Sequence, residues 1–375
     1  MKILYDHQVF EIQNIGGISR YFSELLKRNL DAKLSLRYTD NVYLREECFK
    51  QYNLLPRAEY KKKKFLTKFN FKGKGRLINC YNYLFNKKSN KDLSNAHVRR
   101  RNDYTVFHPT YYDPYFLKHL KGKPFVLTVY DMIHECLQNF FHSDKHTIPH
   151  KAKLILAADQ IITISDHTKN DLIKFFPEVQ EKINVVYLAS SFPEIEYISK
   201  KENYILFTGA RWGYKNFDTF SRAVAPLLKK YDMHLICTGA LFSDDEMELL
   251  NSLGIADRTI SKYAALDNEL IKLYSKASAF VFPSLYEGFG IPVLEAFATN
   301  CPAVLSNTSS LPEVGGDAAL YFNPYSIDDM RTQIERVICS PTLQNELIIK
   351  GKKRIKIFSW EKCYQETIEV YKKAL

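Results

Sequence analysis

The sequence has no run of about 18 apolar residues, which excludes an obvious membrane-spanning helix. Its first residues, "MKILYDHQVFEIQ", break a short apolar stretch with Asp6 and His7, so no secretory h-region is formed. Cysteine is sparse and unpaired in pattern. Cys48, Cys80, Cys136, Cys237, Cys301, Cys339 and Cys363 stand singly, without CxxC spacing, so neither a disulfide framework nor a structural zinc site is expected. The expectation is a reducing, cytoplasmic protein. With 375 residues, 46% hydrophobic and 25% charged, the chain is long enough for two domains with separate cores.

Acid is missing from one long stretch. Between Tyr60 and Lys91 there are eleven Lys or Arg and no Asp or Glu, interleaved with Phe and Tyr. Three readings stay open on these residues: a surface resting on anionic lipid headgroups through Lys61 to Lys64, a single-strand nucleic-acid platform, or a solvated loop.

Elsewhere strand-like and helix-like segments alternate. "KILYD", "YTVFHP", "FVLTVYD", "QIITIS" and "INVVYL" are short, β-branched and bounded by turn or helix-start residues. After the polar break "ASSFPEIEYISKKEN", the alternation restarts with "YILFTGA", "MHLICTGA", "AFVFPS", "PAVLSN" and "AALYFNP". The pattern predicts an α/β protein of two Rossmann-like, doubly wound domains facing a cleft. Residues 1–190 make the first, with a basic insertion at about 57–91, and 191–356 the second. Residues 357–375 form a helix with Trp360, Tyr364, Ile368 and Tyr371 on one face, able to cross back and brace the first domain.

In open α/β sheets ligands bind beyond the carboxyl ends of strands, at helix N-termini that favour anions. Gly16 and Gly17 stand there in the first domain, where a plain turn is the competing reading. Arg211 and Lys215, in "GARWGYKN", stand there in the second, placed to hold a diphosphate. "SLYEGFGIPVLEAFA" puts Glu287 in a turn at the cleft and Glu295 about one turn into a helix that has Pro292 near its start. Such a carboxylate can accept two sugar hydroxyls, and the Gly288, Phe289 and Gly290 amides suit phosphate. A ligand with both sugar and phosphate fits this stretch.

These residues carry a resemblance. "GGISRY", "ADQIITISDHTKNDLIKFF", "KINVVYLAS", "FTGARWGYKN" and "FPSLYEGFGIPVLEAFATNCPAVLSNTSSLPEVGGDAALYFNP" span most of the chain outside roughly Arg37 to Arg101. The chain is similar to glycosyltransferase family 4, the retaining GT-B enzymes that use nucleotide diphosphate sugars. The resemblance implies that Arg211 and Lys215 bind the donor diphosphate and that Glu287 contacts the donor sugar. By the same resemblance Glu295 holds the ribose, and Gly16 and Gly17 approach the phosphate or acceptor. "GGISRYFSELLK" with "TVYDMIHE" resembles bacterial mannosyltransferases of O-antigen or capsule assembly, which makes GDP-mannose the first donor expected and UDP sugars the next. The implied acceptor is a lipid-linked glycan at the inner face of the membrane, and nucleic acid is not an expected partner.

One departure stands out. Many relatives carry a His-Asp pair where this chain has Tyr130 before Asp131, with His134 three residues on. Asp131 keeps the strand-end position, and His134 either replaces the missing histidine or packs. His108, at another strand end, is a further cleft candidate or a structural histidine. The Asp-x-Asp of metal-using transferases is absent, and Asp244-Asp245 and Asp328-Asp329 read as helix-start acids, so no metal or other cofactor is expected. The reading from a different class is a binding module that keeps the fold without the chemistry. Within the class, a glycogen or sucrose synthase type is the alternative.

Overall fold

A computed structural model describes residues 1–45, 52–61, 72, 88–142, 144–196, 201–263 and 267–375. The basic run, with Lys62 to Lys64 and the membrane contact read from them, lies almost wholly outside the described residues.

Two all-parallel sheets organise the chain. In the first, β1 (Ile3–Tyr5) lies between β2 (Lys33–Leu34) and β3 (Val106–His108), while β4 (Val126–Val129), β5 (Gln160–Thr163) and β6 (Ile183–Val185) run on from it. A parallel bridge between Phe107 and Phe125 joins the two triplets. The second sheet has the order β12-β11-β10-β7-β8-β9, built from β7 (Glu202–Phe207), β8 (His234–Thr238), β9 (Thr259–Lys262), β10 (Ala277–Phe282), β11 (Ala303–Ser306) and β12 (Ala319–Phe322). In each sheet the winding reverses direction once, between β1 and β3 and between β7 and β10, and the crevice at such a reversal is where ligands bind. β2 and β9 had no counterpart among the sequence expectations.

The strands β1, β3, β4, β10 and β11 are buried on both faces, as parallel strands covered by helices must be. The final helix, Trp360–Lys373, contacts both the Gly17–Arg28 helix and β5. Its buried face is Trp360, Cys363, Thr367, Val370 and Tyr371, rotated slightly from the expected stripe, so Tyr364 and Ile368 sit at the margin. Thr367 is tolerated inside because its hydroxyl donates to the Cys363 carbonyl at 2.7 Å. Trp360 Nε1 donates to Ser191 Oγ at 3.0 Å.

This helix explains His108, which is corrected here from a cleft candidate to a core residue. Its Nδ1 lies 2.7 Å from the Tyr371 hydroxyl and its Nε2 2.9 Å from Thr128 Oγ1, and the ring is fully buried. Burial lowers its pKa to about 3, so the imidazole stays neutral and ties the last helix to β3 and β4.

Candidate active site

The loop between β10 and the Ile291–Ala298 helix is held from below. Gly290 adopts a left-handed conformation (φ 104°) that lets the chain turn sharply into the helix, where Pro292 occupies the first turn. Ser310 Oγ donates to the Glu287 and Phe289 carbonyls at 2.8 and 2.9 Å, and the Glu287 N–H donates to Ser309 Oγ. The Gly213–Lys215 turn is fixed by Asn216, whose Nδ2 donates to the Pro283 and Pro324 carbonyls, and by the Leu285 N–H, which donates to the Tyr214 carbonyl. The two loops therefore present Lys215 Nζ and Glu287 Oε1 to each other at 2.6 Å. Burial works against the ammonium, but the Glu287 carboxylate outweighs it and the Lys215 pKa is raised.

This pair stands at a cavity of about 250 Å³. The second domain lines it with Thr208, Gly209, Lys215, Phe282 and Glu287 through Pro292, and the first with Gly17, Ile18, Tyr21, Tyr130, Asp131, Ile164 and Leu188. The helices that begin at Gly17 and Ile291 both start at its wall, so two sets of first-turn N–H groups border one space. That arrangement suits a phosphate group with a cation beside it.

The first domain closes directly onto the glutamate loop. The Gly288 carbonyl accepts from Ser165 Oγ at 2.7 Å and from Thr168 Oγ1 at 3.3 Å. A Cβ at Gly288 would collide with the Tyr130 carbonyl of the first domain. The Glu313 carboxylate accepts the Asp166 and His167 N–H groups at 2.7 and 3.0 Å, capping the Asp166–Phe175 helix from across the cleft. The Tyr286 hydroxyl donates to Asp171 Oδ2 at 2.8 Å. Burial pushes the Asp171 pKa up, but hydrogen bonds from His167, Lys174 and Tyr286 prevail and hold it well below the usual carboxylate range. At the far edge Arg20 grips Asp267 with two hydrogen bonds, at 2.6 and 2.8 Å.

Of the residues expected at the site, Gly17, Asp131, Lys215, Glu287, Gly288, Phe289 and Gly290 line the cavity together. The Phe289 ring is buried, packing on Tyr187 and Phe358. Gly16 sits just behind Gly17 as the helix N-cap, with extended φ; a Cβ there would collide with the Gln13 amide, which accepts the Ser19 N–H. Asp244-Asp245 and Asp328-Asp329 occupy the first turns of helices capped by Ser243 and Ser326. Among the described residues no cluster of three or more His, Cys, Asp or Glu is arranged to hold a metal.

Arg211 is not brought to the cavity. Its guanidinium is engaged by both Glu246 carboxylate oxygens, at 2.9 and 3.1 Å, and by the Ala240 and Leu241 carbonyls. Arg211→Ala is therefore expected to cost stability, about 2 kcal/mol for the lost charge-assisted hydrogen bonds to the half-buried Glu246, with a much smaller loss of turnover. Denaturant titration alongside kcat separates the two effects.

Glu295 lies one layer below the cavity. Its carboxylate accepts from the Tyr274 hydroxyl at 3.3 Å, and that hydroxyl is 3.1 Å from Thr208 Oγ1, which lines the wall. Burial raises its pKa to about 7, partly opposed by the Arg20 charge. The folded pKa is above the unfolded value of 4.5, so the native state binds more protons between these limits. Stability should fall as pH rises from about 4.5 to 7 and level off above. Glu295→Gln should flatten that slope in unfolding curves measured across the window.

Sequence reasoning missed the closing contacts. Ser165 and Thr168 in "SDHT" were visible as a helix-start signal, but nothing local pairs them with Gly288. Arg20 was visible only as part of "GGISRY".

The family model of glycosyl transferases group 1 matches residues 190–354, the segment that carries Lys215 and Glu287. O-antigen chain mannosyltransferase B of Escherichia coli is 29% identical over 293 residues, covering 73% of this chain and 76% of that protein. O-antigen chain mannosyltransferase RfbU of Salmonella typhimurium is 33% identical over 179 residues, covering 47% of this chain and 50% of that protein. In fold, the sucrose-phosphate synthase structure from Thermosynechococcus elongatus superposes with a TM-score of 0.71 at 16% identity, over 99% of this chain and 98% of that one.

Proposed function

Since this chain is a glycosyltransferase of the GT-B fold that resembles the O-antigen mannosyltransferases, we propose that it transfers mannose from GDP-mannose to a hydroxyl of a growing, lipid-linked bacterial surface glycan. The observation that carries this reading is the Lys215–Glu287 pair, set between two helix N-termini at the reversal point of the second sheet. Lys215 and the first-turn N–H groups take the diphosphate, and Glu287 and the adjoining amides take the sugar hydroxyls. Glu295, through Tyr274 and Thr208, supports the ribose side.

The reaction proceeds with retention of configuration, as in glycosyltransferase family 4. The C1–O bond to the diphosphate breaks, the acceptor oxygen bonds to C1 on the same face, and the acceptor proton passes to the leaving phosphate oxygen. No protein nucleophile is required. Consistent with this, Glu287 is held as an ion pair with Lys215, which makes its carboxylate a poorer nucleophile. Charge stabilisation by Lys215 takes the place of a metal. A peripheral position on the inner face of the membrane accompanies a lipid-linked acceptor, and no described helix is long and apolar enough to cross a membrane.

Calorimetry with GDP, UDP, ADP and their sugars tests the reading, with Glu295→Ala and Lys215→Ala as controls. GDP and GDP-mannose should bind most tightly, and both substitutions should weaken them. Preference for UDP would move the donor to a UDP sugar, while binding of none would sink the transferase reading. Activity that chelator removes and magnesium or manganese alone restores would refute the metal-free chemistry.

A further inference from the structure

Apart from the residues that line the cavity, the two domains bring together an aromatic group. Phe141 of the first domain lies 4.2 Å, ring centre to ring centre, from His134 and edge-on to Trp212 of the second domain at 5.7 Å. Trp212 in turn meets Tyr214 at 5.4 Å. Phe140 covers Gly213, where a Cβ would come within 3.1 Å of its ring. Trp212 is 53% exposed and Phe140 40%, so both rings offer open surface where the two domains meet.

His134 adds a polar signal. Its Nε2 is 3.5 Å from Asp144 Oδ2, and the carboxylate favours the proton on that nitrogen. Burial holds the imidazole pKa below its ordinary value against the pull of Asp131 and Asp144, so the ring is neutral. Its Nδ1 then presents a lone pair. That atom is buried and has no hydrogen-bond partner among the described residues. A buried polar atom left so costs about 1–3 kcal/mol, and a hydroxyl donated by a ligand would recover it.

We propose that His134, Phe141 and Trp212 form the site that holds the acceptor as a hexopyranose ring, its C–H face on the aromatics and one hydroxyl donated to His134 Nδ1. A pyranose offers both features. The positively polarised C–H groups of one face suit the negative face of an aromatic ring, and its equatorial hydroxyls are donors. An anionic occupant is disfavoured because Asp144 borders the site and Asp131 lies three residues before His134. The location fits the reaction. Trp212 precedes the Gly213–Lys215 turn, Tyr214 lies within it beside Lys215, and Asp131 lines the cavity itself.

This inference rests on the proposed transferase function, and its test separates the two. Saturation-transfer NMR with methyl α-D-mannopyranoside, on the full chain with and without GDP, should show transfer from aromatic protons to the sugar. Trp212→Ala, at an exposed position, and His134→Phe should each weaken that binding about tenfold. No transfer from the unaltered protein, or both variants binding within twofold of it, overturns the site. Loss of GDP affinity in Trp212→Ala with sugar binding intact also overturns it, by assigning the platform to the nucleotide. GDP titrated into the unaltered protein reports on the transferase reading alone, since its failure there leaves the sugar result standing.

Discussion

Lys215→Ala is expected to lower kcat by about 10²–10³-fold, the usual cost of removing one preorganised group that meets developing charge. Among the described residues lining the cavity Lys215 is the sole cation, and Arg211 is committed to Glu246. Among those residues, the other groups able to meet a departing diphosphate are helix-start N–H groups, whose partial charges are smaller. The substitution also strands Glu287, whose side chain is 14% exposed, and stability should drop by a few kcal/mol. Instability alone would then account for lost activity as well as the missing charge does. The double variant Lys215→Ala with Glu287→Gln, compared with Glu287→Gln alone, resolves this, because a neutral amide no longer needs the ammonium. Unfolding curves should recover in the double variant, while its single-turnover rate should stay well below that of Glu287→Gln. A kcat within about threefold of the unaltered protein in Lys215→Ala would remove the central claim about this site.

Much of the scaffold was legible because it follows local rules. Continuous β-branched runs ended by turn residues marked the interior strands, and "EGFGIP" announced a glycine turn followed by a helix with proline near its start. β9 escaped because "TISK" is an edge strand with alternating half-exposed and exposed residues, and β2 because it is two residues long. The position of Arg211 was legible but its partner was not. Glu246 sits 35 residues away, where it also completes the capping box with Ser243, and sequence alone shows only the second role. Glu295 could have been read more closely. In "IPVLEAFA" the helix is apolar on nearly all sides, so a carboxylate there was bound to be buried with a raised pKa. The aromatic group around His134 depends on two domains meeting, and no spacing along the chain encodes that.

Gly288→Ala should reduce transfer by about 10²-fold, with little change in the stability of either sheet. The reason is space and not backbone freedom, since Gly288 is absent from the left-handed positions among the described residues. Its missing Cβ faces the Tyr130 carbonyl and lies 3.1 Å from Asp131 Cβ. That carbonyl has little room to retreat. The Tyr130 N–H donates to the Tyr112 hydroxyl at 3.1 Å, and its own hydroxyl donates to the Thr110 carbonyl at 2.8 Å. An added methyl must therefore push the glutamate loop away from the first domain, breaking the Ser165 and Thr168 hydrogen bonds and parting Asp131 from Glu287. A displacement of about 1 Å suffices for such a loss when reacting groups come from opposite walls. Ser165→Ala is the matched control, because it removes a hydrogen bond to the same carbonyl without adding bulk, and its loss should stay under about tenfold. Donor affinity should persist in Gly288→Ala, because Lys215 and the Ile291–Ala298 helix both belong to the second domain. If Gly288→Ala instead turns over normally, the contact between Gly288 and Tyr130 is not part of the reactive arrangement, and the catalytic geometry must be reached with the domains further apart.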